Sequence, residues 1–125
     1  VLCSPFNNKE VEEMNWLTQT LVDANTAGYD HIFVFMHYGF TGDKWAGAPA
    51  RAAELKALLQ EYHVKAVFDG HTHYDAYAMY GTLEDFTTRS CTYNLGAGPP
   101  PPGIRIIKVY SDRIEQEVRE LTTLP

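Results

Sequence analysis

The chain has 125 residues and a formal charge of −6, from 10 Lys and Arg against 16 Asp and Glu. Its hydrophobic share of 45% and charged share of 21% exclude a disordered chain and leave room for one packed domain, or part of one. The acidic balance argues against binding to a nucleic-acid scaffold, which needs a basic surface. No apolar run approaches the roughly 18 residues that a membrane span needs, and no signal peptide is visible, so the compartment stays open.

The first element in chain order is predicted to be a helix. Asn7 can cap it, with Glu10 three residues later, and Gly28 can end it. Apolar residues recur between these positions at helical spacing. They are Val11, Met14, Leu17 and Leu21.

A strand, a helix and a second strand are predicted next. Residues 32–36 form an unbroken apolar run, typical of a strand covered on both faces, and it ends at His37. A helix starts near Pro49, and a second apolar strand at residues 64–68 runs into the sequence Asp69-Gly70-His71-Thr72-His73. The predicted buried stripe of this helix consists of Ala53, Leu55, Leu58, Leu59 and Tyr62. The order predicts a βαβ unit with parallel strands.

The rest of the chain contains short strand-like segments separated by turn residues. They lie at residues 75–80, 92–95, 104–110 and 113–121, and Ser111-Asp112 suits a hairpin turn. We therefore predict a mixed α/β fold, in which a βαβ unit is followed by antiparallel strands.

Three of the five histidines lie where a ligand site is expected. His37 and His71 follow the carboxyl ends of the two parallel strands, and such ends meet at one edge of a sheet. In extended backbone His73 would project on the same side as His71, about 6.5–7 Å along the strand. Imidazoles grouped in this way can bind one cation or a pair of cations. His31 and His63, near the strand starts, are interpreted as ordinary solvated residues.

These segments resemble the calcineurin-like metallophosphoesterases. Residues 64–73 resemble the family's GHxH segment, and Asn15-Trp16-Leu17 followed by residues 34–38 resembles its preceding helix and its strand ending in a metal-binding histidine. The resemblance spans about residues 5–120. It implies that residues 1–125 form a single, incomplete domain, equivalent to the C-terminal half of the family's α/β sandwich.

The resemblance also implies a dinuclear metal site and phosphoester hydrolysis. His37 and His71 would bind one divalent ion and His73 the other, with Mn, Fe or Zn as candidate metals and a phosphomonoester or phosphodiester as substrate. The family motifs D-x-H, G-D-x-x-D and G-N-H-D/E do not occur here. The catalytic residues are therefore expected in a missing N-terminal half, and the chain is expected to pair with that half or to self-associate.

Several neighbouring residues are candidates for supporting roles. Tyr38, Trp45 and Tyr74 lie near the histidines in sequence and can line a substrate groove, although loop or core packing would also explain them. Asp75 alternates with His71 and His73 and can orient one of their rings, or it can be a plain strand residue. Gly70 is expected because a side chain there would crowd the backbone where it turns sharply at the strand end.

Two other functions fit parts of the pattern. An amidohydrolase also ends a strand with a metal-binding HxH pair, but too few residues follow His73 for its barrel of about 250 residues. The second alternative is a non-catalytic fragment or module that keeps this half of the fold and binds metal without activity of its own.

Overall fold

The computed structural model describes residues 10–41, 49–92 and 100–121. Two helices cover one face of a four-stranded sheet, and a two-stranded hairpin packs on the other face. In chain order the elements are α1 (Glu10–Ala27), β1 (Phe33–Phe35), α2 (Pro49–Glu61), β2 (Ala66–Asp69), β3 (Ala76–Tyr80), β4 (Leu83–Thr87), β5 (Gly103–Val109) and β6 (Ile114–Glu120). The prediction of a mixed α/β fold is confirmed.

The main sheet has the strand order β1-β2-β4-β3. Strand β1 runs parallel to β2, with Phe35 opposite Phe68, so the predicted βαβ unit is present. Strand β4 also runs parallel to β2, and only β3 is antiparallel to its neighbour. Strands β5 and β6 pair with each other in a separate sheet.

Strand β4 is the element that the sequence prediction missed. Its sequence carries Glu84 and Asp85, which are rare in buried strands, yet it occupies an inner position of the sheet. The only local signal is the two-residue turn before it, where Gly81 adopts a φ of 61°. The predicted antiparallel strands after β2 are present as the pairs β3–β4 and β5–β6, but they do not follow one another in one sheet, because β4 joins β2 in parallel and the β5–β6 pair is a separate sheet. Thr92 lies in a bend rather than a strand, and residues 93–95 lie outside the described residues.

The ends of both helices follow from local chemistry. Helix α1 ends at Ala27 and is followed by Gly28, which has a φ of 72° and donates a hydrogen bond from its amide to the Asn25 carbonyl at 3.1 Å. Helix α2 ends at Glu61, two residues before His63, a non-glycine residue with a φ of 56°. The proposed cap at Asn7 lies outside the described residues.

The helix-side core confirms most of the predicted apolar stripes. Leu17 and Leu21 of α1 and Leu55 and Leu59 of α2 are buried, and Met14, Leu58 and Tyr62 pack against them in part. Ala53 is exposed, and Ala52 is buried instead. The reason is helical phase, because residues 52, 55 and 59 share one face of α2.

A row of aromatic rings crosses the opposite face of the sheet. Phe35, Phe68, Phe86 and Tyr77 lie opposite one another on the four strands, with ring centroids 5.2, 5.5 and 5.1 Å apart in that order. The hairpin covers the middle of this row, since Ile107 and Ile114 pack against the cluster of Phe68 and Phe86. Phe35 at one end is 58% exposed, so the prediction that β1 is covered on both faces is wrong there.

The hairpin is attached to the sheet by polar contacts near both ends. At one end His31 Nε2 lies 2.5 Å from the Tyr110 carbonyl oxygen, and its ring stacks on Phe33. At the other end Arg105 donates to the Thr87 carbonyl at 2.8 Å and to Thr88 Oγ1 at 3.0 Å. His31 is therefore a half-buried contact residue and not the solvated residue that was predicted.

Two carboxyl groups lie next to each other in the helix-side core. Asp85 is fully buried and Asp69 nearly so, and within the described part of the chain neither forms a hydrogen bond of ordinary geometry. Burial and the adjacent Asp69 carboxyl raise the pKa of Asp85 to about 8, whereas the Phe40 amide and the Lys56 ammonium favour the charged form. A protonated Asp85 carboxyl can donate a hydrogen bond to the Asp69 carboxyl, which gives each group one partner.

This pair predicts a pH dependence of stability. Because folding raises the pKa of Asp85 from 3.8 to about 8, the folded chain holds a proton that the unfolded chain releases, and stability falls as the pH rises from about 4 to about 8. We expect Asp85→Asn to remove this contribution, since its amide can donate to Asp69 without ionising. Urea unfolding measures the free energy of unfolding of both proteins at pH 5 and pH 8. The value for the variant, relative to that for the wild type, should be higher at pH 8 than at pH 5 by roughly 1–3 kcal/mol. A difference in the free energy of unfolding between the two proteins that is the same at both pH values would contradict this account.

The buried carboxyl group of Asp69 also explains why residue 39 is a glycine. A Cβ added at Gly39 would overlap the Asp69 carboxyl group, whereas a Cβ added at Gly70 would meet only the Thr88 carbonyl oxygen at 3.7 Å. The expectation that Gly70 is required by steric crowding is therefore wrong, and Gly39 is the crowded position.

We expect Gly39→Ala to lower the free energy of unfolding by about 2 kcal/mol, because the added methyl must displace a buried carboxyl group. Gly70→Ala is the matched control and should change the free energy by less than about 1 kcal/mol. Thermal unfolding followed by circular dichroism measures both. Equal losses in the two variants would show that the packing of Gly39 against Asp69 is not the cause.

Candidate metal centre

The candidate centre lies at the edge of the sheet where β1 and β2 end. The pairing continues one residue beyond β1, where the Met36 amide donates to the Phe68 carbonyl at 3.1 Å. The Gly70 amide then donates to the His37 carbonyl at 3.3 Å. These two bonds hold the segment after β1 beside the segment after β2. They therefore place His37 next to the turn that carries His71.

His37 and His71 converge at this edge. His37 Nε2 lies 3.1 Å from His71 Nδ1, and the two rings meet edge to face with centroids 5.0 Å apart. The His37 side chain is exposed and that of His71 is half-buried. The parallel order of the strands thus places these two imidazoles together, as the sequence predicted; that they bind metal stays a prediction.

His73 is positioned by a turn and not by a strand. His71 and His73 have φ values of 64° and 62°, and the Thr72 amide donates to the Gly70 carbonyl at 2.7 Å. The prediction that both side chains project from one extended strand is therefore wrong. His73 Nδ1 is buried and has no hydrogen-bond partner among the described residues.

The described residues contain no group of three or more His, Cys, Asp or Glu side chains arranged to hold a metal ion. Two of the three predicted ligands therefore meet, and the third lies nearby in sequence without joining them in one group. The donors that do meet are imidazole nitrogens, which suit Zn, Fe and similar transition metals. The nearest buried carboxylate in sequence, Asp69, packs against Gly39 in the core.

An aromatic side chain adjoins the histidine pair. The Tyr38 ring centroid lies 4.8 Å from that of His37 and 4.4 Å from that of His71. Tyr74 is 51% exposed just beyond the turn, where its carbonyl is 3.5 Å from Thr72 Oγ1. Both positions are compatible with the predicted groove. Trp45 lies outside the described residues.

Asp75 makes contacts that the sequence did not predict. Its carboxylate accepts hydrogen bonds from the Arg89 main-chain amide at 3.2 Å and from Arg89 Nε at 2.5 Å, and Arg105 Nη2 lies 3.5 Å away. The hydrogen bond that the Arg89 side chain donates to Asp75 raises the pKa of Arg89, whereas burial lowers the pKa of Arg105. The predicted role of Asp75, orienting a histidine by direct contact, is replaced by contacts with two arginines.

Arg89 and Arg105 escaped the sequence analysis because they are distant from Asp75 along the chain. Arg89 also donates to the Pro101 carbonyl and to Glu120, both at 3.2 Å. No spacing rule links residues on the turn after β2, the end of β4 and the hairpin. Only the packing of the hairpin on the sheet brings them together.

The described part of the chain has no helix with the length and apolar character that a membrane crossing requires. No model of a known protein family matches the chain, and no curated protein matches it significantly.

Proposed function

We propose that the chain is the C-terminal half of a metal-dependent phosphoester hydrolase, and that His37 and His71 bind one of two divalent cations. The observation that carries the proposal is the distance of 3.1 Å between His37 Nε2 and His71 Nδ1. Two nitrogen ligands about 2.0–2.1 Å from one ion, at tetrahedral or octahedral angles, are roughly 2.8–3.4 Å apart. The two imidazoles are therefore spaced as a chelating pair.

The same nitrogens can form a hydrogen bond with each other while no ion is bound, because a neutral imidazole has one donor and one acceptor nitrogen. A cation that binds both nitrogens would take the place of this hydrogen bond, and the ring that donates it would then carry its proton on its other nitrogen. Metal binding depends on pH for a separate reason, because a ring that is protonated on both nitrogens has no lone pair to offer a cation.

His73 is the candidate ligand for the second ion. Its Nδ1 is buried without a hydrogen-bond partner among the described residues, which is costly for a polar atom unless something else satisfies it. Three imidazoles carry no negative charge, so a dinuclear centre also needs carboxylate ligands. We assign those ligands, and the group that protonates the leaving oxygen, to residues outside this sequence.

The proposed chemistry divides between the ions and the chain. When bound, the ions would supply charge for the phosphate oxygens and activate a water for attack on phosphorus. The strand ends hold His37 and His71 in place, and Tyr38 packs against both rings and limits their rotation. A chain of formal charge −6 needs such cations to hold an anionic ester.

The alternative is a metal-binding module without hydrolytic activity. The observation that favours it is the absence, among the described residues, of a third metal-binding side chain grouped with His37 and His71. Such a module would bind a single ion with modest affinity. Metal binding and hydrolysis therefore have to be measured separately.

We expect His71→Ala and His37→Ala each to weaken Co²⁺ binding by at least tenfold, because each removes one of two chelating nitrogens. Isothermal titration and the visible absorption of bound Co²⁺ measure the affinity. The matched control is His63→Asn, which alters an exposed histidine at the end of α2 and keeps a residue that tolerates a positive φ. Co²⁺ affinity that is unchanged in both alanine variants would remove the proposed metal role.

Hydrolysis tests the catalytic part of the proposal. In a longer protein that joins this chain to the missing N-terminal half, with Mn²⁺ present, we expect p-nitrophenyl phosphate or bis(p-nitrophenyl) phosphate to be cleaved, and His71→Ala to lose at least 90% of the rate. Chelation by EDTA should abolish the activity of the wild type. Co²⁺ binding without hydrolysis by that longer protein would favour the non-catalytic module and contradict the proposed phosphoester hydrolysis.

A further inference from the structure

The turn that carries His71 and His73 is strained. Both residues adopt positive φ values, a left-handed region that is strained for a residue with a side chain. Such conformations persist only where the surrounding structure holds them in place. Two of them within three residues therefore require firm anchors on either side of the turn.

The first anchor lies where β2 ends. The Gly70 amide donates to the His37 carbonyl, and the Thr88 amide donates to the Asp69 carbonyl at 2.9 Å. These bonds connect the start of the turn to the segment after β1 on one side and to the segment after β4 on the other. They leave the far end of the turn to be held by other contacts.

Asp75 provides the second anchor. Its carboxylate bonds to the main-chain amide and side chain of Arg89 and faces Arg105. The Asp75, Arg89 and Arg105 side chains are only 21%, 14% and 7% exposed, so their attraction is weakly screened. Charge-assisted hydrogen bonds of this kind are stronger than neutral ones and fix geometry.

The two arginines are themselves held by groups outside the turn. Arg105 donates to the Thr87 carbonyl and to Thr88 Oγ1 at the end of β4, and it belongs to the hairpin strand β5. Arg89 bonds to Glu120 of β6. Asp75 thus ties the strained turn to the hairpin on the aromatic face of the sheet.

We propose that Asp75 is a positioning residue for the metal centre. Through Arg89 and Arg105 it holds the turn at residues 71–73 in its left-handed conformation, and so sets the direction of the His71 imidazole toward His37. Asp75 does not touch the ion itself. This inference rests on the proposed metal binding and adds that the affinity for the ion depends on how the hairpin is docked.

The test is Asp75→Asn, which keeps the size of the side chain but removes its charge. We expect Co²⁺ affinity to fall about tenfold, the size of effect seen when groups behind a metal ligand are altered, and the visible spectrum of bound Co²⁺ to change. Asp75→Glu restores the charge and should recover part of the affinity. Glu117→Gln is the matched control, because it breaks an exposed ion pair with Arg119 on the same hairpin.

A second readout does not require metal. In the apo chain, NMR should show that Asp75→Asn shifts the ring resonances of His71 and His73 and leaves that of His63 in place. Should Asp75→Asn fail to fold, Arg89→Lys serves instead, since it keeps the charge but loses the Nε hydrogen bond, and a smaller effect in the same direction is expected.

The outcomes separate the two proposals. Co²⁺ affinity and histidine resonances that are unchanged in Asp75→Asn would overturn the positioning role, even with a lower melting temperature. A wild-type chain that binds no Co²⁺, with shifted histidine resonances in the variant, would overturn the metal site and leave the control of the turn by Asp75 standing.

Discussion

The parallel pairing of β1 with β2 is the constraint on which the candidate centre depends. Phe35 lies opposite Phe68, and the pairing continues through the bond from the Met36 amide to the Phe68 carbonyl. Because the two strands run in the same direction, the residues that follow them leave at one edge of the sheet. A shift of one residue would turn each side chain of the strand to the opposite face, and His37 and His71 would no longer meet.

Both faces of the sheet contribute to this register. On the helix side, leucines of α1 and α2 bury the strands. On the other side, the row of aromatic rings from Phe35 to Tyr77 follows the pairing of all four strands. The hairpin packs over the middle of that row, and its Arg105 reaches the end of β4. The same packing that stabilises the fold thus also brings arginines to Asp75.

The sequence predicted the parts of the fold that follow from local pattern. Helical spacing located α1 and α2, apolar runs located β1 and β2, and their order placed His37 beside His71. The sequence did not predict β4, because the buried Asp85 makes that strand resemble a surface segment. Nor did it predict the turn at His73, since alternating residues suggest a strand and no local pattern encodes the positive φ values of His71 and His73.

The central claim is that His37 Nε2 and His71 Nδ1 bind one cation together. Crystals of the chain grown with Zn²⁺ and measured at the zinc absorption edge test it directly through anomalous scattering. The account predicts a zinc peak about 2.0–2.1 Å from both nitrogens, with the two rings close to their present separation. Zinc bound elsewhere, with these two nitrogens still hydrogen-bonded to each other, would contradict it.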